Sequence, residues 1–235
     1  MQRYFIKNIN NNLVQFEMSD IHHIKNVMRM NVGETVECVY EGKLYKAIIK
    51  SFDPFITEVV NEIKQDNINK PYITIIIPLL VEQKMDYILQ KSTELGVDEI
   101  HIYDAVRSKI KLDKDKYDKK VNRWSKICKE ASEQSHRTTI PLIKGLYKLR
   151  DLENEEGLNL VCSTNIAKNF KNTLKNNPLC DKINIVVGPE GGLDPKEEDT
   201  LVSFGYLKTS LGPNILRVET APLCVLSFIN YEYME

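Results

Sequence analysis

Short apolar runs alternate with longer amphipathic stretches over the last two thirds of this chain. The runs are five residues long, and the run from Ile183 to Val187 is rich in β-branched side chains, which predicts a buried strand. They are Ile73 to Ile77, Glu99 to Tyr103, Leu158 to Cys162, Ile183 to Val187 and Leu207 to Leu211. A helical period favours helices over Gln83 to Leu95, Asp115 to Ser135, Ile166 to Asn176 and Pro195 to Phe204. The alternation predicts an α/β fold in which helices cover both faces of a mainly parallel sheet.

The N-terminal part has a different pattern, with strand-like segments close together. These segments are Arg3 to Ile6, Leu13 to Phe16, Thr35 to Tyr40, Leu44 to Ser51 and Phe55 to Ile63. Ser19 can cap a short helix from Asp20 to Met28. Several short strands in so small a region predict a small β-barrel. The polar stretch Gln65 to Pro71 is the best linker, so we expect domains at 1–70 and 71–235.

Charge is nearly balanced along the chain but unevenly distributed. The 235 residues carry a net charge of -1, which argues mildly against nucleic-acid binding. The stretch from Lys109 to Lys126, however, has eight basic residues against three acidic ones. Such an excess suits contact with phosphates, although a solvated lysine-rich helix face is the alternative.

Cysteine and histidine usage excludes some classes of site. The five cysteines are scattered, which favours reduced thiols and a cytoplasmic location. The four histidines lack metal-ligand spacing, so no metal is expected. No apolar run is long enough to span a bilayer, so no membrane partner is expected.

Two stretches near the C-terminus each follow a predicted strand with a Gly-Pro turn. They are Val187-Gly-Pro-Glu-Gly-Gly-Leu-Asp-Pro195 and Leu211-Gly-Pro-Asn-Ile-Leu-Arg-Val-Glu-Thr-Ala221. Gly191-Gly192 allows a ligand to approach the backbone. Asp194 is suited to cap the helix after the first stretch, and Glu219 to open the helix after the second. Loops at strand ends are the usual place for a ligand site in an α/β sheet.

This pair of motifs, in this order and about 23 residues apart, resembles the 16S ribosomal RNA uridine-N3 methyltransferases of the SPOUT superfamily. Further matching segments are Gln2 to Phe5, His22 to Lys25, Val27 to Met30, Val32 to Glu34, Lys91 to Val97, Arg107 to Leu112 and Ala131 to Arg137. The resemblance implies a trefoil-knotted C-terminal domain, a PUA-like N-terminal domain, S-adenosylmethionine as cofactor and the small ribosomal subunit as substrate. It also implies a homodimer, because that family builds its site across a subunit interface.

The resemblance also assigns site residues. Those expected to bind the cofactor are Gly188, Pro189, Glu190, Gly191, Gly192, Leu211, Gly212, Ile215, Leu216, Thr220 and Ala221. Those expected to bind RNA are Arg3, Lys25, Arg29, Arg107, Lys109 and Lys111. Arg217 and Arg137 are expected to contact the base and stabilise its anion, while the general base stays open between Glu219, Glu133 and water. The alternative for Arg217 is an ion pair with Glu219, which would merely cap the last helix.

Two other functions compete with RNA methylation. A non-catalytic RNA-binding protein could keep the fold, although the intact glycine motifs argue against it. A nucleotide-hydrolysing enzyme could use the glycine loop as a phosphate cradle, but the Gly-Lys-Ser/Thr end of a P-loop is missing. Two departures from the family pattern, Asn214 and Val106, affect details of the site more than the function.

Overall fold

A computed structural model describes residues 1–65, 70–108, 110–153, 155–164, 169–177 and 180–233. The chain divides into two compact units. The N-terminal unit comprises residues 1–68 and 132–139, and the C-terminal unit comprises residues 69–131 and 140–235. The stretch 132–139 is therefore separate in sequence from the rest of its unit. No helix in the described ranges is both long and apolar enough to cross a membrane.

The N-terminal unit is built on a six-stranded sheet. Its strands are β1 (Arg3–Phe5), β2 (Asn8–Asn10), β3 (Leu13–Gln15), β4 (Thr35–Tyr40), β5 (Lys43–Phe52) and β6 (Phe55–Ile63). The order is β1-β4-β5-β6-β3-β2, so both edge strands come from one stretch of chain. In the segment that connects β1 to β2, Ile6 N donates to Val39 O and Lys7 N donates to Gln15 O. Buried Tyr4, Ile24, Val36 and Ile49 form the core.

The predicted helix in this unit has a different start and a different form. Helix α1 covers Met18–His22 and continues as a π-helical turn over His23–Val27. Glu17, not Ser19, holds the N-cap position, and it makes no side-chain capping bond. The prediction for Ser19 was therefore wrong, because that residue already lies inside the first helical turn.

The C-terminal unit contains a six-stranded sheet in which every pairing is parallel. Its strands are β7 (Tyr72–Pro78), β8 (Glu99–Tyr103), β9 (Leu142–Tyr147), β10 (Leu158–Cys162), β11 (Lys182–Val186) and β12 (Leu207–Thr209), in the order β12-β10-β11-β7-β8-β9. Ile75 at the centre pairs with Ile100 on one side and Ile185 on the other. All three are fully buried, as a sheet covered on both faces requires.

A 3₁₀ turn covers Leu149–Leu152, and five α-helices in the described residues accompany this sheet. They are α2 (Glu82–Glu94), α3 (Lys114–Gln134), α4 (Phe170–Lys175), α5 (Pro195–Ser203) and α6 (Ala221–Glu232). Ile88, Trp124 and Leu226 of α2, α3 and α6 pack in one core cluster, and Leu201 of α5 packs in a second. The α/β prediction with a parallel sheet is confirmed. The helix predicted from Ile166 to Asn176 begins at Phe170 in the structure, and its predicted residues 166–168 lie outside the described residues.

Strand β9 was missed by the sequence analysis. It follows Pro141 and contains Gly145, and it pairs only with β8 at the edge of the sheet. Its residues are mostly half-buried, so its apolar pattern is weak. Edge strands give a poorer sequence signal than central ones because only part of their surface enters the core.

Candidate functional site

A cavity of about 520 Å³ lies at the carboxyl ends of the parallel strands. Segments that follow β7, β8, β10, β11 and β12 all contribute to its wall. The lining residues are Lys84, Arg107, Cys162, Ser163, Thr164, Val187–Leu193, Glu198, Ser210–Val218 and Ala221. The volume lies within the range of small-molecule sites, and this end of an α/β sheet is where ligands bind.

The first glycine loop, Gly188–Gly192, is fixed at both ends. The buried Tyr103 hydroxyl donates to Val187 O at 3.0 Å, which anchors the strand end before the loop. Gly192 N donates to Pro189 O at 2.8 Å and closes the turn. Asp194 then caps α5, as predicted, and its capping box includes Glu197. Burial raises the pKa of the Tyr103 hydroxyl well above its usual value, so it remains a donor.

Arg107, which was expected to bind RNA, contacts this loop. Its Nη1 donates to Gly191 O at 3.1 Å and to Leu193 O at 3.3 Å, and its Nη2 lies 3.4 Å from Asp194 Oδ2. The preceding residue, Val106, donates its N–H to Glu197 Oε1 at 2.9 Å. The loop after β8 therefore holds both the loop after β11 and the start of α5.

The second glycine loop, Leu211–Thr220, runs from β12 to α6. The Ser210 hydroxyl donates to Gly212 O at 3.1 Å, and Arg217 O accepts bonds from Thr220 N and Ala221 N at 2.9 and 3.0 Å. Helix α6 begins at Ala221, two residues later than predicted, with Thr220 at the N-cap position. The Arg217 side chain is exposed and makes no hydrogen bond or ion pair with any residue the structure describes.

Glu219 neither caps α6 nor pairs with Arg217, so that alternative was wrong. Its Oε2 is buried and lies 3.4 Å from the Lys84 ammonium on α2. Lys84 also donates to Glu190 Oε1 at 2.8 Å. The hydrogen bond to Glu190 raises the pKa of Lys84 above its usual value. Burial opposes this shift, and the two carboxylates add to it.

Ten of the eleven residues expected to bind the cofactor line this one cavity, and Thr220 is the exception. Among those expected to act in catalysis, Arg217 lines the cavity and Glu219 lies beside Lys84. Glu133 and Arg137 belong to the N-terminal unit, where Glu133 Oε1 accepts from Phe5 N at 3.1 Å and Arg137 Nη2 lies 3.3 Å from Thr139 Oγ1.

The residues expected to bind RNA differ in what they contact. Arg3 is 7% exposed and pairs with Glu37 at 2.8 Å, so its charge is already used inside the N-terminal unit. Lys25 and Arg29 are exposed and have no side-chain partner among the described residues. Lys111 pairs with Asp104 at 2.6 Å, and Lys109 lies outside the described residues.

Much of the positive charge between Lys109 and Lys126 is paired within the C-terminal unit. Lys120 lies 3.2 Å from Glu82, and Arg123 pairs with both Glu82 and Asp86 of α2. Lys116 and Lys126 have acidic partners on or next to their own helix. The counted excess of basic residues therefore overstates the charge that is available to a phosphate.

Sequence reasoning missed several wall residues, above all Lys84. Its position in the first turn of an amphipathic helix resembles that of any surface lysine. Ser163, Thr164 and Glu198 were missed for the same reason, since polar residues after a strand or inside a helix are common. Their position in the sequence could have identified two of them, because Thr164 and Lys84 both follow predicted parallel strands at the ligand-binding edge.

Comparison with known proteins identifies the class of protein to which this fold and cavity belong. The family model described as an RNA methyltransferase domain matches residues 68–230, and the one described as an RNA methyltransferase PUA domain matches residues 17–57. The first match covers well over half of the chain. The protein therefore belongs to the RNA methyltransferase family and carries a PUA domain, as the sequence motifs predicted.

Named relatives narrow the comparison within that family. The ribosomal RNA small subunit methyltransferase E of Bacillus subtilis is 35% identical over 99% of this chain and 97% of its own length. The enzyme of the same name from Mesomycoplasma hyopneumoniae is 31% identical, with 97% and 98% covered. The crystal structure of ribosomal RNA small subunit methyltransferase E from Neisseria gonorrhoeae bound to S-adenosylmethionine is similar, with a TM-score of 0.88 and 28% identity over 98% of this chain and 97% of that one.

Proposed function

We propose that this protein transfers a methyl group from S-adenosylmethionine to N3 of a specific uridine in the 16S RNA of the small ribosomal subunit. One observation carries the proposal. The two glycine loops of an RNA methyltransferase line a single cavity, and the partner-free Arg217 side chain belongs to the same wall. Relatives named for small-subunit RNA methylation, one of them bound to S-adenosylmethionine, support the cofactor and the substrate.

The cavity leaves bare backbone open to S-adenosylmethionine at both glycine loops. Gly192 and Gly212 have φ of +71° and +135°, and no atom lies within 4 Å of the place where a Cβ would stand on either. A ligand can therefore reach bare backbone at both loops. Glu190 and Glu198 place carboxylates on the wall, where they pair with Lys84 and Lys208 at 2.8 and 3.1 Å respectively. S-adenosylmethionine supplies a methyl group on a sulfonium cation, so little activation of the donor is needed.

The acceptor nitrogen determines what the protein must do. N3 of uracil carries a weakly acidic proton and becomes nucleophilic once that proton leaves. The protein must extract the base, hold N3 against the methyl group and stabilise the anion that forms. Arg217 suits the last task, since a guanidinium stays charged and offers fixed donors, but for the same reason it cannot be the base. Glu219, Glu133 and water remain the candidates for that role.

The RNA is held through the N-terminal unit in this proposal. A PUA domain occupies that part of the chain, and exposed Lys25 and Arg29 lie on or next to its π-helical turn. Closure of the N-terminal sheet into a barrel is also proposed. The bonds from Ile6 to β4 and from Lys7 to β3, the strands next to the two edge strands, support it. Arg137 and Glu133 would act on the base from residues 132–139.

Three further features complete the proposal. The C-terminal domain, from about residue 71, forms a trefoil knot; the protein works as a homodimer; and it acts in the cytoplasm. Phe228 and Tyr231 on α6 are 42% and 77% exposed, which suits a subunit interface. Sedimentation equilibrium measures the oligomeric state directly, and a monomer at micromolar concentration would remove the dimer from the proposal.

The proposal is tested with small ribosomal subunits from a strain that lacks this gene. Calorimetry measures binding of S-adenosylmethionine, and transfer of a labelled methyl group measures activity. Nucleoside mass spectrometry then separates 3-methyluridine from base-carbon and ribose methylation. A protein that binds the cofactor and RNA but transfers nothing would be the non-catalytic binder, and label in another nucleoside would overturn the N3 assignment.

A further inference from the structure

The Lys84 ammonium forms ion pairs with both glycine loops. Its ammonium lies 2.8 Å from Glu190 Oε1 in the first loop and 3.4 Å from Glu219 Oε2 at the end of the second. Lys84 belongs to a third element, the first turn of α2, and its side chain lines the cavity. Side chains from three separate parts of the chain therefore come together at the Lys84 ammonium.

These three side chains are only partly accessible to water. The exposed fractions are 30% for Lys84, 32% for Glu190 and 19% for Glu219. Partial burial makes each interaction stronger than a typical surface pair, and it also makes a missing partner costly. Without the ammonium, two carboxylates would face each other across the junction of the loops.

The arrangement also connects Lys84 to Arg217. Glu219 lies two residues after Arg217, and the turn between them is closed by the bonds that Arg217 O accepts from Thr220 and Ala221. A fixed Glu219 therefore fixes the backbone from which the Arg217 side chain extends along the cavity wall. If the second loop moved, the guanidinium would move with it.

We propose that Lys84 is a positioning residue that holds the two glycine loops together and thereby sets where Arg217 stands in the cavity. The inference rests on the proposed function, because it assigns Lys84 a part in that reaction. Lys84 acts through its two carboxylate partners and is not assigned contact with the reacting atoms.

Simple electrostatics predicts the opposite result, which makes the inference testable. If Lys84 contributed only its positive charge, then removing it would leave a more negative cavity and would strengthen binding of a cationic cofactor. If Lys84 positions the loops, Lys84→Met weakens S-adenosylmethionine binding by about tenfold, a typical coupling for residues in contact. The single-turnover methylation rate at saturating cofactor should also fall, because Arg217 is displaced.

The matched control is Lys91→Met. Lys91 lies on the same helix, is 36% exposed and pairs with Glu94 at 2.8 Å, so it differs from Lys84 mainly in its partner. This control should keep wild-type affinity and rate. Lys84→Arg, which retains the charge and can reach both carboxylates, should recover most of both.

A double-mutant cycle tests whether Lys84 acts through Glu219. It also keeps the inference testable if one of the variants folds poorly. Glu219→Gln should reproduce part of the loss, and in the Lys84→Met background it should add less than it does in the wild type. Unchanged or tighter cofactor binding in Lys84→Met, or fully additive effects, would overturn the inference. A wild-type protein that failed to bind S-adenosylmethionine would instead reject the proposed function.

Discussion

The Arg107 guanidinium donates to the carbonyl oxygen of Gly191 at 3.1 Å, so a side chain from the loop after β8 fixes the backbone of the first glycine loop. A second bond reaches Leu193 O at 3.3 Å. Both acceptors are main-chain atoms, and the contact therefore depends on the path of the loop and not on its side chains. The sequence resemblance placed Arg107 among the RNA contacts, and this geometry gives it a second role.

Arg107→Met should weaken S-adenosylmethionine binding about 5–30-fold, since two hydrogen bonds to the loop contribute about 1–2 kcal/mol. The methionine keeps most of the apolar stem of arginine, and calorimetry measures the change. Arg150→Met is the control, because Arg150 is 73% exposed and its pair with Asp151 at 3.8 Å lies away from the cavity wall. A loss confined to RNA affinity would show that Arg107 serves RNA alone.

Gly191→Val should abolish cofactor binding while the fold survives. A Cβ on Gly191 would lie 3.6 Å from Arg107 Cβ, an ordinary contact, and the residue does not have a positive φ. The added methyl groups would instead occupy the space in which a ligand approaches the backbone. Gly191→Ala should give an intermediate affinity. Normal binding by a folded valine variant, checked by melting temperature, would mean that the cofactor lies elsewhere.

Changing both Lys25 and Arg29 to glutamine should weaken RNA binding and reduce its salt dependence. Each lost phosphate contact lowers the slope of log K against log salt by about 0.7–0.9. Lys7 and Lys50 are controls in the same unit, since each pairs with a glutamate, at 3.0 and 3.4 Å respectively. Their double glutamine variant should keep a slope close to that of the wild type. Equal slopes in all three proteins would remove this surface from the RNA interface.

Stability should fall as the solution is acidified below about pH 6.5, because of His101 and Glu99. Both are buried on β8, with His101 Nε2 3.2 Å from Glu99 Oε2. Burial lowers the pKa of His101 below its usual 6.5. Burial alone would raise the pKa of Glu99, but the bond from Lys144 and the charges of His101 and Lys144 lower it below its usual 4.5.

The direction of the stability change follows from the lowered pKa values of His101 and Glu99. The unfolded chain takes up a proton at His101 before the folded protein does, so stability is lost as pH falls from about 6.5, and Glu99 adds a further loss below about 4.5. His101→Gln keeps a donor but cannot titrate, and it should flatten the first loss in denaturant unfolding between pH 7.5 and 5. His22→Gln, at an exposed histidine, is the control. A profile for His101→Gln that follows the wild type would contradict this assignment.

Local features of this fold could be predicted from sequence, and contacts between distant segments could not. The cap of α5 by Asp194 and the start of that helix at Pro195 depend on neighbouring residues, and both were predicted. Lys84 and Glu190 are 106 positions apart, and their contact depends on the order of the strands in the sheet. The Arg3–Glu37 pair was missed for the same reason, since it depends on the parallel register of β1 and β4.

Arg217→Ala should slow methyl transfer much more than it weakens cofactor binding. The side chain lines the cavity and has no hydrogen-bond or ion-pair partner among the described residues, so its loss breaks no such interaction. If the guanidinium stabilises the anion that develops on the base, its removal should lower the single-turnover rate about 10²–10³-fold. The melting temperature should change little, because an exposed side chain outside special features contributes within about 0.5 kcal/mol.

Arg217→Lys separates charge from geometry. A lysine keeps the positive charge but lacks the planar pair of donors, so a requirement for two fixed hydrogen bonds predicts a rate close to that of alanine. Recovery by lysine would indicate that charge alone is needed. A near-normal rate for Arg217→Ala at saturating cofactor would remove Arg217 from the reaction. The anion would then have to be stabilised by another cation, and Arg137 of the N-terminal unit is the candidate to test next.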